Sequence, residues 1–162
     1  MNELIYLTSA EEIRLNADKI FTLHGYHNVL GFRHISWNEK RVEIALTLQP
    51  HHLNLGGVIH GGVLAALLDI ACAQAGTFCP YKDRIRKSMT LSLTTTFTGQ
   101  CNQGEIRVIG TLRASGTKIY NSSGEVFDDK GNLLAMGEGT FRLRSGSEKA
   151  EGVPKTERIA ST

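Results

Sequence analysis

Charge is almost missing from one stretch of this 162-residue sequence: between His60 and Lys82 the only charged residue is Asp69. Cysteine is scarce too, at Cys72, Cys79 and Cys101. Their odd number argues against a disulfide scaffold. On one helix, Cys72 and Cys79 would stand roughly 10.5 Å apart, beyond the ~7 Å a bridge can span. Three reduced thiols lead us to expect a cytoplasmic protein. No charge sign dominates: the net charge of +2 argues against a nucleic-acid or membrane-surface partner and leaves small acidic ligands open. Met1-Asn-Glu-Leu-Ile-Tyr has no basic start and no long apolar run, so no secretory signal is expected. The apolar run 61–81 is rich in Ala and Gly, and Asp69 at its centre would cost about 2.5–3.5 kcal/mol in a bilayer. It predicts a buried soluble helix. No internal repeat is visible.

What is present has the patterning of one domain over 1–144, followed by a polar, solvated tail over 145–162. Ser9 with Glu12 resembles a capping box, and Ile13, Ala17, Ile20 and Phe21 follow at helical spacing, with Gly25 and Asn28 closing the helix. A strand is expected at about 29–37 and pairs through Asn38-Glu39-Lys40 with one carrying Val42, Ile44, Leu46 and Leu48 on one face, ended by Pro50. A Gly-rich loop over 54–62 leads into the apolar helix, about 62–78, which stops before Pro80. Four strands follow without a helix, about 88–98, 105–114, 118–128 and 132–143, and predict an antiparallel meander. Leu91, Leu93 and Phe97 should share a face of the first. Gly110, Gly124, Gly137 and Gly139 mark bulges or close approach to the helix. A helix apolar all round must be covered on most sides, and a curved antiparallel sheet can do this.

The chemistry concentrates between Asn54 and Asp69. A lone carboxylate on an apolar helix is costly unless hydrogen-bonded or functional. Glycines at the helix start offer free N–H groups to an incoming oxygen. Each residue also has a plain structural reading: Asp69 as a hydrogen-bonding group of the fold, His60 as a loop histidine, Asn54 as a turn residue. The set Gly57, Gly61, Gly62 is not the dinucleotide fingerprint. Gly61 and Asp69 lie eight residues apart, about 12 Å along one helix, whereas a polarising donor and a carboxylate must both come within roughly 3.5 Å of the reacting group. Two antiparallel helices in a two-fold dimer resolve this, with the start of one facing the middle of the other. His51-His52 has no carboxylate or cysteine at ligand spacing, and no metal is expected.

Asn54-x-x-Gly57-x-x-His60-Gly61-Gly62, with Asp69 nine residues after His60, resembles the signature of hotdog-fold acyl-CoA thioesterases of the phenylacetyl-CoA thioesterase-like branch. The order of elements agrees over about 28–144. The resemblance implies an α+β hotdog fold, a curved antiparallel sheet around one long central helix with a short N-terminal helix. It implies that Asp69 activates water or attacks the thioester itself. The Gly61 N–H would hold the thioester oxygen, and His60 and Asn54 would shape that site. A hydroxyl on the first strand after the helix would assist Asp69. Thr90 falls nearest, with Ser88 and Ser92 as rivals. The family often has proline soon after the aromatic at Phe97, where this chain has Thr98-Gly99-Gln100. Coenzyme A carries phosphates, so Lys82, Arg84, Arg86, Lys87, Arg113 and Lys118 are candidates for the rim of the site.

The expected activity is hydrolysis of acyl-CoA to acid and CoA, without a cofactor beyond the CoA of the substrate, in a homodimer or dimer of dimers. Two alternatives stay open at this level. A dehydratase or hydratase on the same fold would need a His–carboxylate proton pair. A non-catalytic acyl-CoA-binding module would bind the ester tightly without releasing thiol. The acyl group is not legible in the sequence.

Overall fold

Ser9 opens the first helix, α1 (Ala10–Phe21), by accepting from the Glu12 amide at 3.1 Å while Glu12 Oε2 accepts from the Ser9 amide at 3.2 Å. This is the capping box expected from the spacing. The computed structural model of the chain describes residues 3–155. A second short helix, α2 (Gly25–Leu30), follows and ends at Gly31, whose φ of 82° suits glycine. The predicted strand at about 29–37 therefore starts late, as β1 (Arg33–Trp37). Leu30, Phe32 and His34 are all buried, and this two-residue alternation runs on from a helix too short to show its own period.

β1 turns at Asn38, whose Oδ1 accepts from the amides of Lys40 and Arg41, into β2 (Arg41–Thr47). The apolar segment forms α3 (Gly61–Ala75). Beyond it come β3 (Arg84–Ile85), β4 (Ser88–Phe97), β5 (Glu105–Ser115), β6 (Ile119–Phe127), β7 (Leu133–Leu143) and β8 (Val153–Pro154). The main sheet is antiparallel throughout, in the order β1-β2-β5-β6-β7-β4.

This corrects the four-strand meander. β5, β6 and β7 are joined by hairpins, but β4 lies beyond β7 at the sheet edge and never touches β5. The connection over 98–104 crosses the end of the sheet: the Thr98 amide donates to Leu134 O, the Ile59 amide to Cys101 O and the Leu48 amide to Gly104 O. A tight turn would have paired β4 with β5; this longer crossing carries the chain to the other side of α3.

α3 lies across the concave face, with Leu64, Leu67, Leu68, Ala71, Cys72 and Ala75 buried. Three glycines pair in a row beneath it, Gly110 with Gly124 and Gly124 with Gly137. A Cβ on Gly110 would collide with Ala71 O, and one on Gly124 would sit 2.9 Å from both Cys72 Sγ and Leu68 Cδ2. The row is the expected close approach, and it lets helix and sheet touch at backbone distance.

The solvated tail is also corrected for residues 145–155. Ser147 is fully buried and its Oγ accepts from the Lys87 amide. Arg86 Nε donates to Ser147 O, and Arg84 donates to Glu151 O and Gly152 O. β8 pairs with β3. Polar composition mimics a loose end, whereas these carbonyls are satisfied by two guanidinium groups. Residues 156–162 of the expected tail lie outside the described residues.

Candidate active site

His60 is the N-cap of α3 and accepts from the Gly62 amide through Nδ1 at 2.8 Å, which leaves its own proton on Nε2. A Cβ on Gly62 would stand 2.9 Å from that nitrogen, so the second glycine of the pair makes room for the cap. The Val63 and Leu64 amides donate to His60 O. Among the described residues, Gly61 N–H is then the first-turn amide with no internal acceptor. It points outward at the positive end of the helix. The Phe97 ring is 3.6 Å from where a Gly61 side chain would begin.

Asn54 serves the local structure. Its Oδ1 accepts from the Gly56 amide at 2.9 Å and the Val58 amide at 3.3 Å, building the turn that delivers His60. His52 is likewise internal, with Nδ1 accepting from the Gln49 amide and Nε2 donating to Leu30 O.

Asp69 lies on α3, partly buried. Thr90 Oγ1 donates to its Oδ1 at 2.7 Å. Among the described residues Oδ2 accepts no hydrogen bond, so one oxygen is held and the other is open to a water or a substrate. Of the three hydroxyls considered, Ser88 bonds Tyr120 instead, and Ser92 lies on the outer face of the sheet, in a shallow depression with Thr94, Ser123 and Glu138. Simple alternation would put Thr90 and Leu93 on opposite faces. The register shift between Thr90 and Ser92 leaves Leu91 unpaired, and this bulge turns both Thr90 and Leu93 toward the helix. Leu91 therefore departs from the face it was expected to share with Leu93 and Phe97. One turn beyond Asp69, burial and then the Asp69 charge push the Cys72 thiol up to about 12.

The expected cationic rim divides. Arg84 and Arg86 donate to the backbone carbonyls of the C-terminal segment, a structural role. Arg113 donates to Ser123 Oγ on the outer face, across the sheet from Asp69. Lys87 and Lys118 flank the end of β7, where their carbonyls accept from the amides of Arg144 and Leu143. They bring two cations to the end of the sheet nearest Thr90.

Tyr120, the aromatic beneath the C-terminal half of α3, carries no motif in the sequence that points to it. The one signal for it was its inward register on β6.

A model of the thioesterase superfamily matches residues 56–135, from the loop before α3 into β7. Solved structures share the fold. A conserved protein from Pseudomonas aeruginosa is 28% identical over 76% of this chain and 96% of its own, with a TM-score of 0.66. The PaaI protein from the Escherichia coli phenylacetic acid degradation operon has a TM-score of 0.72 at 19% identity, covering 86% of this chain and 99% of its own. Zebrafish thioesterase superfamily member 2 has a TM-score of 0.71 at 20% identity, covering 85% and 99%. No curated protein sequence matches the chain. With its antiparallel sheet wrapped around α3, the chain has the hotdog fold, and its loop, helix and strands over residues 56–135 match the thioesterase superfamily model.

Proposed function

We propose that the protein hydrolyses acyl-coenzyme A thioesters, in a homodimer that shares two sites. The observation that carries this reading is the Asp69 carboxylate, held at one oxygen by Thr90 at 2.7 Å and free at the other. A thioester carbonyl needs a nucleophile on one side and a donor for the developing oxyanion on the other. Gly61 N–H is such a donor, but it sits too far along the same helix to serve the Asp69 of its own chain. The partner subunit's Gly61 can serve it if two α3 helices lie antiparallel.

The edge strand supports that assembly. β4 is ten residues long, with neither charge nor proline, and Met89, Leu91 and Phe97 are 43%, 50% and 52% exposed. Bare edges of this kind seek a partner strand. The other edge, β1, has only five residues and lies against α1.

In the reaction, water attacks the thioester carbon while Asp69 Oδ2 takes its proton, and the carbonyl oxygen becomes an oxyanion facing Gly61 N–H. Collapse breaks the C–S bond, and the CoA sulfur leaves as a thiolate that takes up the proton held by Asp69. Direct attack by Asp69 would give an acyl–aspartyl anhydride that water then opens, to the same products. Lys87 and Lys118 would meet the CoA phosphates.

A dehydratase pairing is disfavoured by the cap: His60 Nδ1 is already occupied by the Gly62 amide. Release of free thiol from a panel of short, medium, long and aromatic acyl-CoAs tests the proposal. Tight ester binding with no thiol released from any of them would overturn it in favour of a binding module.

A further inference from the structure

We infer that Tyr120 and Ser88 are positioning residues that set the Asp69–Thr90 pair, by clamping α3 to the start of β4 through a second, parallel link. This rests on the proposed role of Asp69. Tyr120 is 2% exposed, and its hydroxyl lies 2.7 Å from Ala73 O and 2.9 Å from Ser88 Oγ. A phenol has one proton. The carbonyl can only accept, so Tyr120 donates to Ala73 O and accepts from the Ser88 hydroxyl.

The spacing is what joins this clamp to the site. Ala73 is four residues after Asp69, one turn along the same face of α3. Ser88 is two residues before Thr90, on the same face of β4 and ahead of the bulge. The helix and the strand are thus tied twice, by Asp69 to Thr90 and by Ala73 through Tyr120 to Ser88. Two links a turn apart fix the twist of β4 against the helix as well as its distance, which one link cannot do.

The phenol is itself held from both sides. Its ring stacks on Phe141 with centroids 5.2 Å apart and planes 17° apart, and Phe141 is the register partner of Thr90 across β4 and β7. A Cβ on Gly76 would collide with the Tyr120 ring, so the glycine that caps α3 also admits the ring beneath its last turn. Burial raises the phenol above its ordinary value, which keeps it a donor at neutral pH.

The test is a double-mutant cycle. Tyr120→Phe keeps the ring and removes the link, and should lower kcat about tenfold with KM unchanged. Ser88→Ala should behave alike and Ser88→Thr should restore the rate. Combining Tyr120→Phe with Thr90→Val should cost little more than Thr90→Val alone, because both act on one carboxylate. The same non-additivity should appear in urea midpoints measured without substrate. Absence of any hydrolysed acyl-CoA would sink the proposed function while leaving the urea cycle to decide the clamp. Unchanged kcat in Tyr120→Phe, or effects that multiply in rate and add in urea, would overturn it.

Discussion

Thr90 Oγ1 donates to Asp69 Oδ1 at 2.7 Å, across 21 residues of chain. That contact joins the edge strand of the sheet to the middle of its central helix. It orients one carboxylate oxygen and leaves the other open. If Asp69 is the base or nucleophile, Asp69→Asn should lower turnover about a thousandfold on the best acyl-CoA with the melting temperature little changed. Full activity in that variant would remove Asp69 from the mechanism.

Thr90→Val should cost about tenfold in kcat, the value of one oriented hydrogen bond. Ser92→Ala should cost nothing, since Ser92 lies on the outer face in the depression with Glu138. Steady-state kinetics on the two variants separate the hydroxyls. Equal losses would mean that Thr90 serves only the strand.

Gly61→Pro tests the Gly61 N–H as the proposed oxyanion donor. Proline is tolerated at the first helical position, and His60 before it has φ −68° and ψ 134°, a conformation that suits the residue preceding proline. The Phe97 ring leaves 3.6 Å for the new Cβ. The variant should fold and lose about 10²–10³ in kcat. Mixing it, unfolded and refolded, with Asp69→Asn should recover about a quarter of wild-type activity, because half the dimers are mixed and each carries one intact site. No recovery would argue that both groups of a site come from one chain.

The three thiols should stay silent in a native assay with a thiol dye. Cys72 and Cys79 are buried and Cys101 is partly so, and burial raises all three thiols, Cys72 to about 12. A thiol so raised is almost entirely protonated at pH 8. Slow labelling before denaturation and three equivalents after it are expected. Rapid native labelling would contradict the burial.

Asp18 ties α1 to β1. Burial works to raise its carboxyl, but the His34 ring and amide both donate to it and hold it below its ordinary 3.8. A depressed carboxyl stabilises the fold above its unfolded value, and that contribution is lost as pH falls through the folded one. The urea midpoint of Asp18→Asn should therefore lie below wild type at pH 7 and converge with it as the pH drops below 3.8. A gap that persists in acid would mean that the carboxylate charge is not what stabilises this contact.

Several elements were legible because their signals are local. The Ser9–Glu12 box needs only spacing four residues long, and the apolar helix with its single Asp69 announces itself by composition. The Asn54-to-Asp69 spacing carried the family. Other features lie in no single segment. The short helix at Gly25–Leu30 was hidden by an alternation running through Leu30 and Phe32. Arg84 and Arg86, solvent-facing cations by composition, satisfy carbonyls more than 60 residues away.

The sequence by itself determined the helix, its glycine-rich start, the six strands of the main sheet and the carboxylate around which the proposed chemistry turns, since propensity, periodicity and capping act over a few residues. Only the tertiary structure decided that β4 leaves the meander for the sheet edge, and that a bulge at Thr90–Ser92 turns Thr90 toward Asp69. It also decided that Tyr120 reaches both Ala73 and Ser88. Each of these is settled by how strands choose partners and register once α3 must be covered, and that choice is made by packing between segments far apart in the chain.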